Sequence, residues 1–322
     1  MQRSEVGGQA VIEGVMIRSP QRISTAVRKQ SGEIVIKNDD YISLTKRKKV
    51  FNLPIVRGII SLGEMLIIGI KTLNYSANVA MEDFEEEEKK KKGSSGVSSQ
   101  EKKKTSNDLL LALTAIGAVA LGLVVFFFLP LFLSKLMGVE KKALAFNLVA
   151  GIIRISLFIA YIWILSLVGE FRRVFQYHGA EHKSIFAYEA GENLCFETAR
   201  KYPTAHPRCG TSFIIIVALF AILFYSLSDT VYYLVTGIPP TLLKRYLIHF
   251  ILLPLVAGGA YELLKLSGKK RNSKIIRIFS APGVWLQRIT TREPTESQLE
   301  VAIAALENAL GKSEELRVES KK

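Results

Sequence analysis

Hydrophobic residues in this chain are concentrated in four long blocks separated by polar segments. The first block, residues 109–133, contains no charged residue. A helix needs roughly 20 apolar residues to cross the hydrocarbon core of a bilayer, and this block is longer than that. The remaining blocks are also long enough to span and contain few charges: residues 143–169, 211–236 and 246–266. The pattern predicts four transmembrane helices.

A fifth apolar stretch, residues 55–73, differs because it carries Arg57, Glu64 and Lys71. Charged side chains are costly inside a bilayer. The stretch is therefore predicted to be an interfacial or re-entrant helix rather than a span.

Other segments show shorter patterns. Residues 24–28 and 33–37 are rich in alternating β-branched residues around a Ser-Gly turn, which predicts a β-hairpin. Residues 82–107 consist of charge blocks with Gly and Ser, so a disordered linker is expected. Thr295 and Gln298 have capping-box spacing before an apolar stripe with helical period, which predicts an amphipathic helix near the C-terminus.

These patterns together predict an α-helical polytopic membrane protein with a small β-containing N-terminal portion and an amphipathic C-terminal helix. The predicted divisions run in chain order: a β-rich segment with an interfacial helix (1–81), the charged linker (82–107), a four-span domain containing a polar loop at 170–210 (108–268), and a C-terminal cytoplasmic or interfacial segment (269–322).

The formal net charge of +14 is concentrated beside the ends of the predicted spans. By the positive-inside rule, both termini and the 170–210 loop are expected on the cytoplasmic side. The same clusters predict attraction to anionic lipid head groups. Nucleic-acid binding is not expected, because no interleaving of aromatic and basic residues supports it. Cys195 and Cys209 both lie in this loop, where thiols stay reduced.

The most concentrated chemistry also lies in this loop. His178 and His182 are four residues apart, so on a helix both imidazoles project from one face and could bind one metal ion. Glu181 completes a His-x-x-Glu-His pattern, in which the carboxylate of inverted zincins acts as the general base.

A catalytic zinc site typically has three protein ligands and an open position. Candidates for the remaining ligand are a histidine, a cysteine and two carboxylates: His206, Cys209, Glu189 and Glu262. Glu262 stands out because it lies inside a predicted span, although Lys265 offers an ion-pair explanation. Of the other polar residues in the spans, His249 is expected to be a packing residue and Asp229 to be solvated near the membrane surface.

The N-terminal motif is a further candidate for the site. It combines the flexible pair Gly7-Gly8 with the polar side chains of Gln9, Glu13 and Arg18. Glycine allows backbone to approach a site closely. We hypothesise that this motif folds over the 178–209 region.

Four separated motifs resemble those of the YqhQ-like family of bacterial membrane proteins. They are Gly7-Gly-Gln-Ala-Val-Ile-Glu-Gly-Val-Met-Ile-Arg18, Tyr177-His-Gly-Ala-Glu-His-Lys183, His206-Pro-Arg-Cys-Gly-Thr-Ser-Phe213 and Pro282-Gly-Val-Trp-Leu-Gln-Arg-Ile-Thr-Thr-Arg-Glu-Pro294. The resemblance covers nearly the whole chain, and the 82–107 linker looks like a variable insert. It implies a multi-pass protein of the bacterial inner membrane and a predicted metal-dependent enzyme.

Three interpretations of the loop follow. In the leading one, a divalent metal, zinc, is bound by His178 and His182 with His206 or Cys209, and Glu181 serves as a general base or orients a ligand in a hydrolase. In the second, the protein is a non-enzymatic assembly factor, regulator or transporter, and all four His and Cys residues hold a structural metal. In the third, no metal binds, and the loop residues form a buried hydrogen-bond network.

Overall fold

The computed structural model describes residues 6–91, 113–114, 116–269 and 274–311. The chain divides into two compact units, each assembled from separate segments. We call them the site unit and the bundle unit. The site unit comprises Met1–Glu85, Ile162–Ile216 and Ala257–Lys322, and the bundle unit comprises Glu86–Tyr161 and Val217–Val256.

The N-terminal portion of the site unit is an antiparallel sheet with strand order β1-β2-β3-β4. Its strands are β1 (Gly7–Val11), β2 (Gly14–Arg18), β3 (Arg22–Arg28) and β4 (Ile34–Asp40). The predicted hairpin is confirmed as β3 and β4, whose turn contains Gly32 at φ 90°. That backbone conformation favours glycine because it has no Cβ.

Both faces of the sheet are covered, and successive side chains of β2 point to opposite faces. Val15 and Ile17 point to one face and pack in a cluster with residues of two helices, α5 (Gly169–Ala190) and α10 (Glu296–Ala309). Met16 points to the other face and packs with Ile68 of helix α2 (Val56–Lys91). A strand buried on both sides explains the continuous apolar run of β2.

Helix α2 follows a short helix, α1 (Leu44–Arg47), and a 3-10 turn (Lys49–Asn52). It contains residues 56–73 of the predicted non-spanning helix and continues to Lys91. Residues 82–91 of the predicted linker are therefore helical, whereas residues 92–107 lie outside the described residues.

Helix α10 confirms the predicted amphipathic C-terminal helix. Thr295 caps it by accepting a hydrogen bond from the Gln298 amide, and Gln298 accepts one from the Thr295 amide. Its apolar stripe includes Leu299 and Leu306, which are fully buried against the sheet and α5.

The structure contains four helical segments long and apolar enough to cross a membrane within its described residues, as the hydropathy pattern predicts. They are Ile116–Leu136, Ala143–Leu165, Phe213–Thr236 and Leu242–Lys265. The corresponding helices are α3 (Leu129–Leu136, preceded by a π-helical turn at Val124–Phe128), α4 (Ala143–Leu165), α7 (Gly210–Thr236) and α8 (Leu242–Lys269). Large apolar side chains on these segments are exposed, which suits contact with lipid. A short helix, α6 (Phe196–Ala199), lies between α5 and α7.

A buried polar cluster lies within the bundle unit, and it corrects the expectation that Asp229 is solvated. The Asp229 side chain has no exposed surface and accepts a hydrogen bond from Asn147 Nδ2 at 2.9 Å. Arg245 Nε lies 3.0 Å from Asp229 Oδ2, and His249 Nε2 lies 3.1 Å from Oδ1. Charged groups away from water are stable only when they are paired, so Asp229 and Arg245 explain each other's burial.

Candidate metal centre

The candidate centre is formed on α5, where His178 and His182 lie one helical turn apart with ring centroids 4.4 Å from each other. Cys209 comes from the turn just before α7, and its Sγ lies 3.2 Å from His178 Nε2. One potential ligand atom from each of these residues lies within 4.8 Å of the others. This is the arrangement that three ligands of one metal ion need.

Backbone carbonyls orient both imidazoles. His178 Nδ1 lies 2.8 Å from the carbonyl oxygen of Thr290, and His182 Nδ1 lies 2.5 Å from that of Thr204. A carbonyl oxygen only accepts hydrogen bonds, so each Nδ1 must carry the proton when the ring is neutral. The lone pair of each ring is then on Nε2. Metal-binding histidines are typically fixed in this way by a hydrogen bond from the other ring nitrogen.

The protonation state and the donor atoms of the centre also suit a metal ion. Burial lowers the pKa of His182, and the interaction with Cys209 opposes that shift. The neutral imidazole, which burial favours, is the form that binds metals. Cys209 is buried too, and its sulfur lies 3.2 Å from the Thr211 hydroxyl. Two nitrogen donors and one sulfur donor form a set that suits zinc.

Glu181 lies beside this cluster but is not a member of it. Its side chain is buried, and its carboxyl group accepts a backbone hydrogen bond from Gly8 of β1. Burial raises the pKa of Glu181 to about 7, although the charge of His178 and the hydrogen bond from Gly8 both oppose the shift. The β1 strand therefore lies directly against the residue that the sequence pattern singles out as a base.

His206 is held beside the cluster rather than within it. Its ring centroid is 5.6 Å from that of His182, and its Nδ1 accepts a hydrogen bond from the Arg208 amide. Its Nε2 lies 3.7 Å from Glu189 Oε2, and Glu189 also pairs with Arg208. Of the four predicted His and Cys ligands, the structure thus brings three together and directs the fourth toward Glu189.

Sequence reasoning assigned no role to Gln287, which fixes the backbone of His206. Its Oε1 accepts from the His206 amide at 2.6 Å, and its Nε2 donates to the His206 carbonyl at 2.8 Å. Gln287 is fully buried on helix α9 (Lys274–Thr290), which also provides the Thr290 carbonyl. The one signal in the sequence was that Gln287 and Thr290 both fall in the Pro282–Pro294 motif.

Besides the apolar packing of Val15 and Ile17, two residues of the N-terminal motif make polar contacts with α5. Gly8 contacts Glu181, as described above, and Glu13 pairs with Arg173 through hydrogen bonds of 2.6 and 2.5 Å. Glu13 also accepts a hydrogen bond from the Tyr177 hydroxyl at 3.3 Å.

The other polar residues of the motif point elsewhere. The Gln9 side chain lies against Gly69 of α2, and the Arg18 guanidinium lies 5.6 Å from the centre of the Tyr41 ring. The motif thus approaches the centre through Gly8 and Glu13, and Gln9 and Arg18 lie outside the cluster.

Glu262 forms a pair with Arg57, a residue that the sequence analysis did not consider as its partner. Arg57 donates to both of its carboxylate oxygens, with the Nε bond at 2.6 Å. This bidentate pair joins α2 to α8 within the site unit and explains how a carboxylate is tolerated near the end of a span. Glu262 does not belong to the described His178-His182-Cys209 cluster.

Comparison with known proteins places these features in a family. Residues 53–312 match the family model described as "Protein of unknown function (DUF1385)". The chain is also 33% identical over 315 residues to "Uncharacterized protein YqhQ" of Bacillus subtilis (strain 168), covering 94% of this chain and 92% of that relative. No solved structure matches.

Proposed function

This chain belongs to the family described as protein of unknown function (DUF1385), a membership that confirms the predicted resemblance, and we propose that it is a membrane-embedded, metal-dependent hydrolase. The proposed ligands are His178, His182 and Cys209. One observation carries the proposal: both histidines commit Nδ1 to a backbone carbonyl, so that Nε2 is left as the ligand nitrogen beside the cysteine sulfur. A hydrogen-bond network alone does not require both rings to be fixed in this way.

The number of ligands favours catalysis over a purely structural role. Structural zinc sites use four protein ligands, whereas catalytic sites use three and leave a position for water or substrate. His206, the fourth candidate, is turned toward Glu189. When bound, a divalent metal ion would supply Lewis-acid polarisation of the carbonyl or phosphoryl group that is attacked.

Glu181 is the proposed general base. The assignment rests on its position in the His-x-x-Glu-His pattern and on its burial beside His178 and Gly8. A buried carboxylate next to the metal ligands is placed to accept the proton of an attacking water molecule.

The test combines metal analysis with hydrolysis assays on the full chain purified in detergent. We expect about one zinc ion per chain in the wild type and little in His178→Ala/His182→Ala. Glu181→Gln should keep the metal and lower hydrolysis of a chromogenic phosphate ester or amide by at least about 100-fold. Glu170→Gln, an exposed carboxylate in the first turn of the same helix, is the matched control and should keep both the metal and the hydrolysis.

The competing function is that of a non-enzymatic membrane assembly factor, regulator or transporter with a structural metal. The burial of His182 and Cys209 favours it, because structural sites are closed to solvent. It predicts stoichiometric metal in the wild type, no hydrolysis of any probe, and an unchanged melting temperature in Glu181→Gln. Protein without metal, even after addition of zinc, would instead support a simple hydrogen-bond network.

The proposed location of the centre is the cytoplasmic face of the bacterial inner membrane, with both termini on the same side. The basic clusters beside the span ends support this orientation and contact with anionic lipid head groups. The packing of the sheet, α5 and α10 into one unit also supports it, since pairs of candidate spans separate these segments along the chain. Reporter fusions at the C-terminus of the full chain should be active only when the reporter functions in the cytoplasm.

A further inference from the structure

A cavity of about 400 Å³ lies in the site unit, apart from the His178-His182-Cys209 cluster. Its walls come from β1, β2, the segment after β4, α2, the loop before α7 and the end of α8. The volume is within the usual range for small-ligand sites. We call it the basic cavity, because four cationic residues line it: Arg18, Lys46, Arg208 and Lys265.

The lining of the basic cavity is suited to an anion. Besides the four cations it contains six residues with hydroxyl groups: Ser19, Tyr41, Ser43, Thr45, Ser61 and Tyr261. No carboxylate is among the described residues that line it. Carboxylates do approach the lining from outside the cavity: Glu64 accepts a hydrogen bond from Ser43 at 2.7 Å, Glu189 pairs with Arg208, and Glu262 lies near Lys265.

The position of the cavity indicates where its ligand comes from. Lys265 is the last residue of the fourth candidate span, and Tyr261 and Leu264 of the same span also line the cavity. The end of a span lies at the level of the lipid head groups. A basic cavity at that level is within reach of lipid phosphates.

Two residues that line the basic cavity are followed directly in the sequence by residues at the candidate centre. Arg208 lines the cavity, and the next residue, Cys209, is a proposed ligand. Gly7 lines the cavity, and the next residue, Gly8, contacts Glu181. Consecutive Cα atoms are about 3.8 Å apart, so the backbone that lines the cavity continues directly into the backbone of the centre.

We propose that the basic cavity binds the phosphate ester group of an anionic membrane lipid head group. Phosphate oxygens accept several charge-assisted hydrogen bonds at once, and the guanidinium and ammonium groups of the lining are their usual partners. As a binding site, the cavity is independent of any metal. As the site that selects the substrate, it rests on the proposed hydrolase function and makes that substrate a phosphate-bearing lipid.

Binding is tested on the full chain in detergent by titration calorimetry with short-chain lipids. Phosphatidic acid and phosphatidylglycerol are compared with zwitterionic phosphatidylcholine, and glycerol 1-phosphate is the soluble arm. We expect the anionic lipids to bind at least about tenfold more tightly than phosphatidylcholine, because charge-assisted hydrogen bonds dominate. Binding of glycerol 1-phosphate with equal affinity would overturn the lipid source and identify a soluble phosphate ester as the ligand.

Variants separate the cavity from general surface charge. Arg18→Gln/Lys46→Gln should weaken binding of the anionic lipids about tenfold or more, and Arg18→Lys/Lys46→Arg should restore most of it. The matched control is Lys48→Gln/Lys49→Gln, which removes the same charge from exposed residues just outside the lining. Equal weakening by the two Gln pairs would overturn the proposal in favour of surface electrostatics.

A change of volume gives a test that leaves the charge unaltered. A Cβ on Gly7 would meet nothing within 4 Å, so Gly7→Leu should fold and place its side chain in the cavity. It should weaken lipid binding, and unchanged binding would contradict the proposal. His178→Ala/His182→Ala should still bind the lipid. A protein that lacks metal or hydrolysis but binds the lipid normally therefore bears only on the proposed hydrolase function, and does not affect the proposal of a lipid site.

Discussion

The backbone of Gly8 packs directly on the carboxyl group of Glu181, so closely that a Cβ on Gly8 would lie 2.9 Å from Glu181 Cδ. The same Cβ would lie 2.5 Å from the Met16 carbonyl oxygen and 2.8 Å from Ile17 Cδ1. The Met16 carbonyl belongs to the paired strand and the Glu181 side chain is buried, so neither neighbour is the free end of an exposed side chain. The contact between β1 and α5 at this point therefore requires glycine.

Gly8→Ala is expected to destabilise the site unit by about 1–3 kcal/mol, the usual cost of forcing a methyl group into a packed core. Gly7→Ala is the matched control, because its Cβ meets nothing within 4 Å. Thermal unfolding of both variants in detergent provides the measurement. Equal melting temperatures would show that β1 does not pack on Glu181 as described.

Metal content should depend on Cys209 and not on His206. The Cys209 sulfur lies 3.2 Å from His178 Nε2, whereas His206 Nε2 lies 3.7 Å from Glu189 Oε2. Cys209→Ala should therefore lose most of the bound zinc, and His206→Gln should retain it. Elemental analysis of the purified variants decides between them. Loss of zinc in both would restore His206 as a ligand and favour a closed, structural site.

Gly179→Ala should weaken metal binding without touching a ligand. A Cβ at this position would overlap the Arg292 carbonyl oxygen. The Arg292 amide donates to the Phe175 carbonyl at 2.9 Å and so holds this segment, which includes Thr290, on α5. Displacing the segment removes the carbonyl that orients His178, and loss of such a partner typically costs about 10–100-fold in metal affinity.

The control for Gly179→Ala is Gly169→Ala, at the first position of the same helix, where a Cβ meets nothing within 4 Å. Competition with a zinc chelator measures the affinity of both variants. An unchanged affinity in Gly179→Ala would mean that the Thr290 carbonyl has no part in orienting the ligand.

The Arg57–Glu262 pair should contribute to stability and not to metal binding. Both side chains are mostly shielded from solvent, with relative exposures of 24% and 17%. Glu262→Gln is expected to lower the free energy of unfolding by about 1–3 kcal/mol, because it leaves Arg57 without its charged partner. Zinc content should stay at the wild-type level, and a loss of zinc would place Glu262 in the centre after all.

A double-mutant cycle isolates the interaction between the two side chains. The double variant Arg57→Gln/Glu262→Gln should lose less unfolding free energy than the two single variants lose in sum. The reason is that the second substitution removes a charge that is already unpaired. Full additivity would indicate that the two side chains do not interact in solution.

The sequence predicted the elements of this fold more completely than the contacts between them. The spacing of His178 and His182 was sufficient to place both on one face of a helix, because that spacing is a local property of the helix. The Thr290 carbonyl that orients His178 comes from 112 residues further along the chain. A backbone carbonyl has no signature in the residue type, so no pattern of residues identifies it.

Asp229 shows the same limit within the bundle unit. Its place near the end of an apolar block favoured a solvated residue, because span ends usually lie at the membrane surface. The side chain is instead fully buried and paired with Arg245 and His249. Which way a side chain points around a helix depends on the neighbouring helices, and hydropathy along one segment does not contain that information.

The discontinuity of the site unit imposes an order on its assembly. His178 and His182 lie before the third and fourth candidate spans, whereas Gln287 and Thr290 lie after them. A nascent chain in which only the two histidines have emerged lacks the carbonyl of Thr290. It also lacks the Gln287 side chain that forms hydrogen bonds with the His206 backbone. It gains them only when the residues after the last span, through Thr290, have left the ribosome. If the cluster binds zinc as proposed, capture of the ion with full affinity is a late event in biogenesis, and a chain arrested within the bilayer would compete poorly for it.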